Sequence, residues 1–343
     1  MRAPRDPHRP PGRPRSRRPR ARTAAALLSA LAAVAALGGT APAASRSRPA
    51  EPAARAAPAP APSPGAPHRG TVTGARTSDR SAARERAARI FVEGRRAATT
   101  AGSLGNHART TGGGTATPET GLTHNWWGVF PQPGTHDGIM ATHSVDASYR
   151  VSDGGNFTYS PTTKAQNSCM EVVTAYWSGG NEIWAWDWCS DPGGPARTVP
   201  VDASFLATYT NGATGRPAYS VQMVQDDTPS NRWSAYLYNH RTAGWDLFFR
   251  NAGRDRSGLS HGWDMFEIYA SVNPATGTGY YCGEARNTVF DSSSVALRSR
   301  GAWRPARPAD APWTEAGPRG RDFLCPPLKF LQAGANDHWT VRQ

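Results

Sequence analysis

Cys169-Met170-Glu171-Val172-Val173-Thr174-Ala175-Tyr176-Trp177 and Glu182-Ile183-Trp184-Ala185-Trp186-Asp187-Trp188-Cys189 flank the stretch Ser178-Gly179-Gly180-Asn181. Both runs are rich in aromatic and β-branched residues and meet at a glycine turn, the pattern of a β-hairpin. With the turn centred on Gly179, Cys169 faces Cys189 at a cross-strand position where a disulfide is geometrically possible. This register gathers Met170, Val172, Tyr176, Trp184, Trp186 and Trp188 on one apolar face. It sets Glu171 opposite Asp187 on the other face. A slip of one residue would set Glu171 against Trp188 instead. The Trp184/Trp186/Trp188 stripe reads as core, with a stacking platform for a sugar or peptide as the alternative. By elimination Cys282 pairs with Cys325, although four cysteines allow three connectivities.

Outward from this hairpin the chain continues as short strand candidates. These are Ser144 to Val151, Ser204 to Thr210, Tyr219 to Gln225, Trp233 to Tyr238, Trp245 to Arg250, Trp263 to Ala270 and Ser294 to Arg298. Gly, Pro, Asn, Asp and Ser clusters separate them, and no long amphipathic helix intervenes. Consecutive strands of this kind imply an all-β domain, an antiparallel sandwich or barrel. Residues 301–343 are Pro-rich, with Phe323, Leu328, Phe330 and Trp339 expected to pack back on it.

The 343 residues carry a formal net charge of +13. That excess is not spread evenly. Residues 1–44 hold nine Arg against the single acid Asp6, and residues 45–120 are also basic, whereas residues 121–343 are close to neutral. A basic domain face for nucleic acid is therefore a poor reading. The Arg-rich start, the apolar run Ala24 to Leu37 and the exit Ala41-Pro42-Ala43 describe a secretory signal over residues 1–43. The run is too short for a membrane anchor. The mature protein is expected to be secreted, extracellular and off the membrane, with oxidised cysteines. Residues 44–120 read as an Ala/Pro/Arg-rich linker or pro-segment, with disorder expected over 45–79. Within it, Ser81 to Ala98 looks helical. A solvated linker helix is the first reading, and a docked pro-segment the second. Residues 121–343 form the β-sandwich domain.

Five Glu fall in that domain, at 171, 182, 267, 284 and 315. Glu171 and Glu267 sit inside strand sequence, where a carboxylate is solvated, paired or perturbed by burial. Glu182 begins a strand, and Glu284 and Glu315 lie in turn-like sequence. Gly258-Leu259-Ser260-His261-Gly262 fits a nucleophile-elbow pattern formally, but an all-β chain lacks the strand-to-helix setting that elbow needs. His124, His136, His143, His240, His261 and His338 show no metal-ligand spacing. No metal and no cofactor is expected.

Cys169-Met170-Glu171-Val172 and Met265-Phe266-Glu267-Ile268-Tyr269 resemble the two catalytic motifs of the neprosin-like glutamic peptidases. Between them, Tyr219 to Phe249, with Asn231-Arg232-Trp233 and Gly244-Trp245, is similar in order and spacing to that family's middle region. The likeness covers about residues 165–300. It departs where Val172-Val173-Thr174 replaces the family's Ala-Gly-Trp, and where Met265 and Phe266 replace two glycines. The resemblance implies a concanavalin-like, glutamic-peptidase type sandwich, which follows the leader expected from composition to be disordered. It further implies catalytic Glu171 and Glu267, with Trp177, Tyr269 and Asp187 near the substrate and a preference for proline-containing peptides. Two carboxylates sharing a cleft do not both ionise easily. Glu171 is then the base that activates water and Glu267 the acid, roles that coupling could reverse. A monomer acting on a protein or peptide substrate is expected. A glycoside hydrolase with paired carboxylates and a non-catalytic carbohydrate-binding sandwich are the competing classes.

Overall fold

The computed structural model describes residues 61–79, 81–100, 113–116, 122–190, 193–211, 216–312 and 317–343. All lie in the compact unit Arg55–Gln343. The secretory signal expected over residues 1–43 lies outside the described residues, as does Glu315.

In chain order the elements begin with β1 (His68–Thr71), β2 (Arg76–Thr77), α1 (Ala82–Thr100), β3 (Gly113–Ala116), β4 (Thr123–Val129), β5 (Gly138–Ser144) and β6 (Phe157–Lys164). The central group is β7 (Met170–Trp177), β8 (Gly180–Asp187), β9 (Gly194–Pro200), α2 (Ala203–Tyr209), β10 (Ala218–Asp227), β11 (Arg232–Asn239), β12 (Gly244–Asn251) and β13 (Trp263–Ala270). The last are β14 (Val272–Asn273), β15 (Thr278–Gly279), α3 (Tyr280–Glu284), β16 (Val289–Ser299), β17 (Ala302–Pro305), β18 (Lys329–Gln332) and β19 (His338–Arg342). One sheet runs β1-β12-β11-β10-β5-β16-β19-β18, with β17 beside β16; the second runs β2-β9-β8-β7-β6-β13-β4-β3. Apart from the parallel pair β1–β12, the pairings within both sheets are antiparallel. The expected antiparallel β-sandwich is what the chain forms.

Alternation builds the layers. Met170 and Val172 of β7, with Ile183 and Ala185 of β8, pack between the sheets against Ile139, Val221 and Met223. Phe266 and Ile268 of β13 join Trp127, Phe290 and Trp339 in the same interior. The opposite face of the second sheet carries Val173, Ala175, Trp177, Trp184, Trp186, Trp188, Tyr159 and Tyr269. A strand buried on both faces reads as a near-continuous apolar run, and this sheet is covered on both sides.

Four expectations are corrected. The hairpin closes one residue tighter than expected, with Trp177 opposite Gly180, so Glu171 faces Trp186 and Met170 faces Asp187. The cysteines did not fix the register, because Cys189 lies beyond the last strand pair. Its Cα still comes within 5.0 Å of that of Cys169, and Cys282 and Cys325 approach to 5.1 Å, both at disulfide distance. Consequently the tryptophan stripe shares a face with Glu171, not with Met170. Second, the strand expected over Ser144 to Val151 lies upstream, ending at Ser144. Third, Ser204 to Thr210 is helical: Asp202 caps it by accepting from the Phe205 N–H at 2.9 Å, and Phe205, Thr208 and Tyr209 form its buried stripe.

The fourth correction concerns the leader. The part of 45–79 that is described is built into the domain: β1 adds to β12 and β2 adds to β9. Strand addition works through backbone hydrogen bonds and needs few apolar side chains. The helix also docks, so the linker-helix reading gives way. Arg84, Ala87, Phe91 and Gly94 are buried at helical spacing, and Ala87, Ile90, Phe91 and Val92 join the Trp-rich cluster of the second sheet. β2 and β3 are the two opposite edges of that sheet, and α1, between them in sequence, packs on its outer face.

Candidate active site

Glu171 and Glu267 both project from this outer face and both are fully buried. The register relates them. Thr162 of β6 pairs with Val173 on one side and Met265 on the other, and Tyr159 pairs with Ala175 and Glu267. Glu171 therefore lies two residues to one side of the Val173–Met265 row, and Glu267 two residues to the other, with β6 between them. Tyr159, in that intervening strand, has its hydroxyl buried without a hydrogen-bond partner among the described residues. Burial pushes that hydroxyl far above its ordinary pKa, and the charges of Glu267 and then Glu171 add to the effect.

Glu171 is surrounded by donors. Its Oε1 accepts from Thr162 Oγ1 at 2.5 Å and Trp263 Nε1 at 2.8 Å, and its Oε2 accepts from Trp188 Nε1 at 3.0 Å. Indole N–H groups donate and never accept, so both oxygens act as acceptors in these bonds. Trp263 reaches across β6 to make its bond, which ties the two Glu-bearing strands together.

Glu267 has a different environment. Its Oε1 lies 2.6 Å from His124 Nε2 and accepts from the Tyr269 hydroxyl at 2.9 Å. His124 stacks flat on Tyr269, with ring centroids 4.2 Å apart and planes within 7°. A carboxyl touching an imidazole can hold one proton on either partner. Asp264, three residues earlier on the same strand, turns to the inter-sheet interior, where His143 Nε2 lies at 2.8 Å and Trp339 Nε1 donates at 2.8 Å.

The sequence-derived substrate contacts are only partly brought together. Tyr269 touches Glu267 directly, and Trp177 lies on the same face. Asp187 faces away. It accepts from the backbone N–H of Cys189 at 2.8 Å, the Ser190 hydroxyl at 2.5 Å and the Asn251 amide at 2.8 Å, a local structural role. Gly258 to Gly262 is loop preceding β13, not an elbow. Among the described residues no group of three or more His, Cys, Asp or Glu side chains is arranged to hold a metal ion. Nor, among them, is any helix long and apolar enough to cross a membrane.

His124, Thr162, Trp188 and Trp263 were not singled out as partners of the two Glu. Trp263 shares the strand and the parity of Glu267, whereas His124 becomes readable as a partner only once β4 and β13 are known to be neighbours.

The helix α1 lies on this constellation. The Phe91 ring meets Trp186 at 4.2 Å, Tyr159 at 4.9 Å, Trp188 at 5.6 Å and Tyr269 at 5.7 Å between centroids. A Cβ on Gly94 would fall 2.3 Å from Cε1 of Tyr269, so only glycine lets the helix approach this closely. Arg84 anchors the first turns: its guanidinium pairs with Glu182 through both nitrogens, at 2.6 and 2.7 Å, and its Nε lies 2.8 Å from Asp79.

No protein-family model and no curated protein matches the chain. Among solved structures it is similar to scytalido-glutamic peptidase with a transition state analog inhibitor, at 12% identity and a TM-score of 0.38, over 64% of this chain and 98% of that one. It is also similar to SCP-B, a member of the eqolisin family of peptidases in a complex with the tripeptide Ala-Ile-His, at 11% identity and a TM-score of 0.33, again over 64% and 98%. A bifunctional GH43-CE protein of Bacteroides eggerthii follows at 9% identity and a TM-score of 0.27, over 46% of this chain and 21% of that one.

Proposed function

We propose that the protein is a secreted glutamic endopeptidase that uses Glu171 and Glu267, held latent by α1. The observation that carries this reading is the pair of fully buried carboxylates on one sheet face, in contrasting environments, beneath a segment of the chain's own polypeptide. Glu171, whose oxygens accept from Thr162, Trp263 and Trp188, takes a proton from water as the water oxygen attacks the peptide carbonyl carbon. The oxygen of that carbonyl gathers negative charge. Tyr159, the unpartnered donor between the two Glu, is placed to receive it. The Glu267–His124 pair supplies the proton that the leaving nitrogen needs as the C–N bond breaks. Glu171 then gives up its proton and the Glu267–His124 pair regains one, exchanged through water, which restores both groups and closes the cycle. Substrate contacts fall to Trp177 and Tyr269, and Asp187 is withdrawn from that role. A preference for proline-containing substrates rests on the neprosin-like motifs alone.

The test is hydrolysis of a proline-containing peptide at mildly acidic pH, after incubation that allows α1 to be removed. Glu171→Gln and Glu267→Gln each keep the side-chain volume and are expected to lose about two to four orders of magnitude in kcat/KM. The double variant is expected to be little worse than either single, because the two act as a unit. Glu284→Gln, whose carboxyl binds Ser152 away from this face, is the control. Full activity without Glu267 would sink the reading.

A second reading draws on Trp177, Trp184, Trp186 and Trp188, which line the same face as the carboxylates. Such a row suits a carbohydrate. Protein freed of α1 that retains an insoluble polysaccharide but cleaves no peptide would favour it.

A further inference from the structure

Glu182 sits on the same face of β8 as Trp184 and Trp186, and it is buried at 5% exposure. A lone buried carboxylate is costly, and the partners this one has on its own sheet among the described residues are the Trp184 N–H, which donates to Oε2 at 2.7 Å, and the outlying Arg76 of the edge strand β2. Its charge is met by arginine. Arg84 of α1 bonds both oxygens, and Arg76 of β2 adds a longer contact of 3.3 Å from a largely exposed side chain. The Arg84 guanidinium also lies over two indole rings, 5.4 Å from the Trp177 centroid and 5.9 Å from that of Trp184. The Trp177 ring occupies its position because the turn beside it is glycine: a Cβ on Gly179 would come within 2.4 Å of that ring. Carboxylate, indole donor and two aromatic faces thus make a box whose shape and charge fit one planar, bidentate cation.

The box belongs to the sheet, whereas its main occupant belongs to the segment that covers the active site. Glu171 is paired with Trp186, and Glu182 lies four residues away from Trp186 along the same strand and on the same face. At about 3.3 Å per residue this is a distance of about 13 Å, the reach of about four residues of an extended peptide.

We propose that, once α1 leaves, Glu182, Trp177 and Trp184 form a subsite for an arginine side chain of the bound peptide, about four residues from the scissile bond. The proposal rests on the peptidase reading for what the site serves, but the box can be probed without catalysis. Arg84 acts there as an internal stand-in for the substrate side chain. Arginine is selected over lysine because the ammonium group offers no planar fork to bridge the two carboxylate oxygens.

The test uses the full chain and N-acetyl-arginine-N-methylamide as probe. In Arg84→Ala, checked for native near-ultraviolet circular dichroism, the probe is expected to bind saturably and to perturb tryptophan fluorescence. The lysine counterpart is expected to bind about tenfold more weakly, for one lost charge-assisted hydrogen bond, and the uncharged citrulline counterpart not at all. Arg84→Ala combined with Glu182→Gln is expected to lose the arginine response. Absence of saturable binding to folded Arg84→Ala, or equal binding to the double variant, overturns the proposal. If Arg84→Ala does not fold, the wild-type chain supplies the same decision. Amide exchange in residues 82–94 should then quicken with the arginine probe and not with citrulline, and equal rates overturn it. Failure of the peptidase reading shows separately, as arginine binding without peptide cleavage. Where cleavage occurs, changing arginine to citrulline at that distance in the substrate is expected to lower kcat/KM about tenfold in the wild type and not in Glu182→Gln.

Discussion

Tyr159 poses the sharpest question of any single residue. A buried hydroxyl without a partner carries a desolvation cost of about 1–3 kcal/mol, and this one lies between two carboxylates. Tyr159→Phe removes that cost and no hydrogen bond among the described residues. Thermal melting is expected to hold or rise, while kcat falls about a hundredfold or more, as for loss of an oxyanion donor. A variant that melts lower with unchanged kcat would assign the residue to packing. Glu182 gives a pH prediction. Burial alone would raise its carboxyl, but hydrogen bonds from Arg84 and Trp184, with the Arg84 charge, outweigh it and hold it below the ordinary 4.5. A depressed folded value means that the stabilisation is complete above about 4.5. It is lost as the pH falls through the lower folded value. Amide exchange in residues 82–94 should therefore accelerate in acid. Glu182→Gln should exchange faster at neutral pH and lose the acid step.

Among the elements, α1 carries the decision between latent and open states. Phe91→Ala removes a ring packed against Trp186, Tyr159, Trp188 and Tyr269 and is expected to cost the docked state about 3–5 kcal/mol, the range for such truncations. Limited proteolysis of residues 82–94 checks it. Gly94→Val acts by collision instead. Tyr269 is pinned by His124 and Glu267 and has little room to yield, so the variant is expected to hold α1 off the face and give activity without a lag. The same element shows where the sequence was legible and where it was not. The strands of β7, β8 and β13, and the Glu171/Glu267 pair on them, follow from local alternation. The docking of α1 does not, because Arg84 and Gly94 are ordinary solvent residues until Glu182 and Tyr269 are placed beneath them. The helix α2 is hidden from local reading for a related reason: Ser204-Phe205-Leu206-Ala207-Thr208-Tyr209 suits a strand by composition, and the Asp202 cap with one buried stripe overrides it. The hairpin register slipped because a cysteine just outside a ladder bridges as well as one inside it.

At the scale of the whole molecule, residues 61–79 are a structural part of the domain. The His68 ring stacks on Tyr236 at 4.1 Å, Val72 enters the inter-sheet core, and the Thr73 N–H bonds the Tyr209 hydroxyl at 2.7 Å. A chain beginning at Ala116 is therefore expected to melt lower than one beginning at Ala61. Equal melting temperatures would mean that β1, β2 and α1 together add nothing. Because β2 and β3 close opposite edges of one sheet, an excision that removes α1 severs the backbone without removing β1 and β2. Maturation would then yield a nicked protein of two polypeptides, a short fragment gripped along both sheets and a long one. Its unfolding would become bimolecular, so that dilution lowers the melting temperature of the processed form and leaves that of the intact chain unchanged.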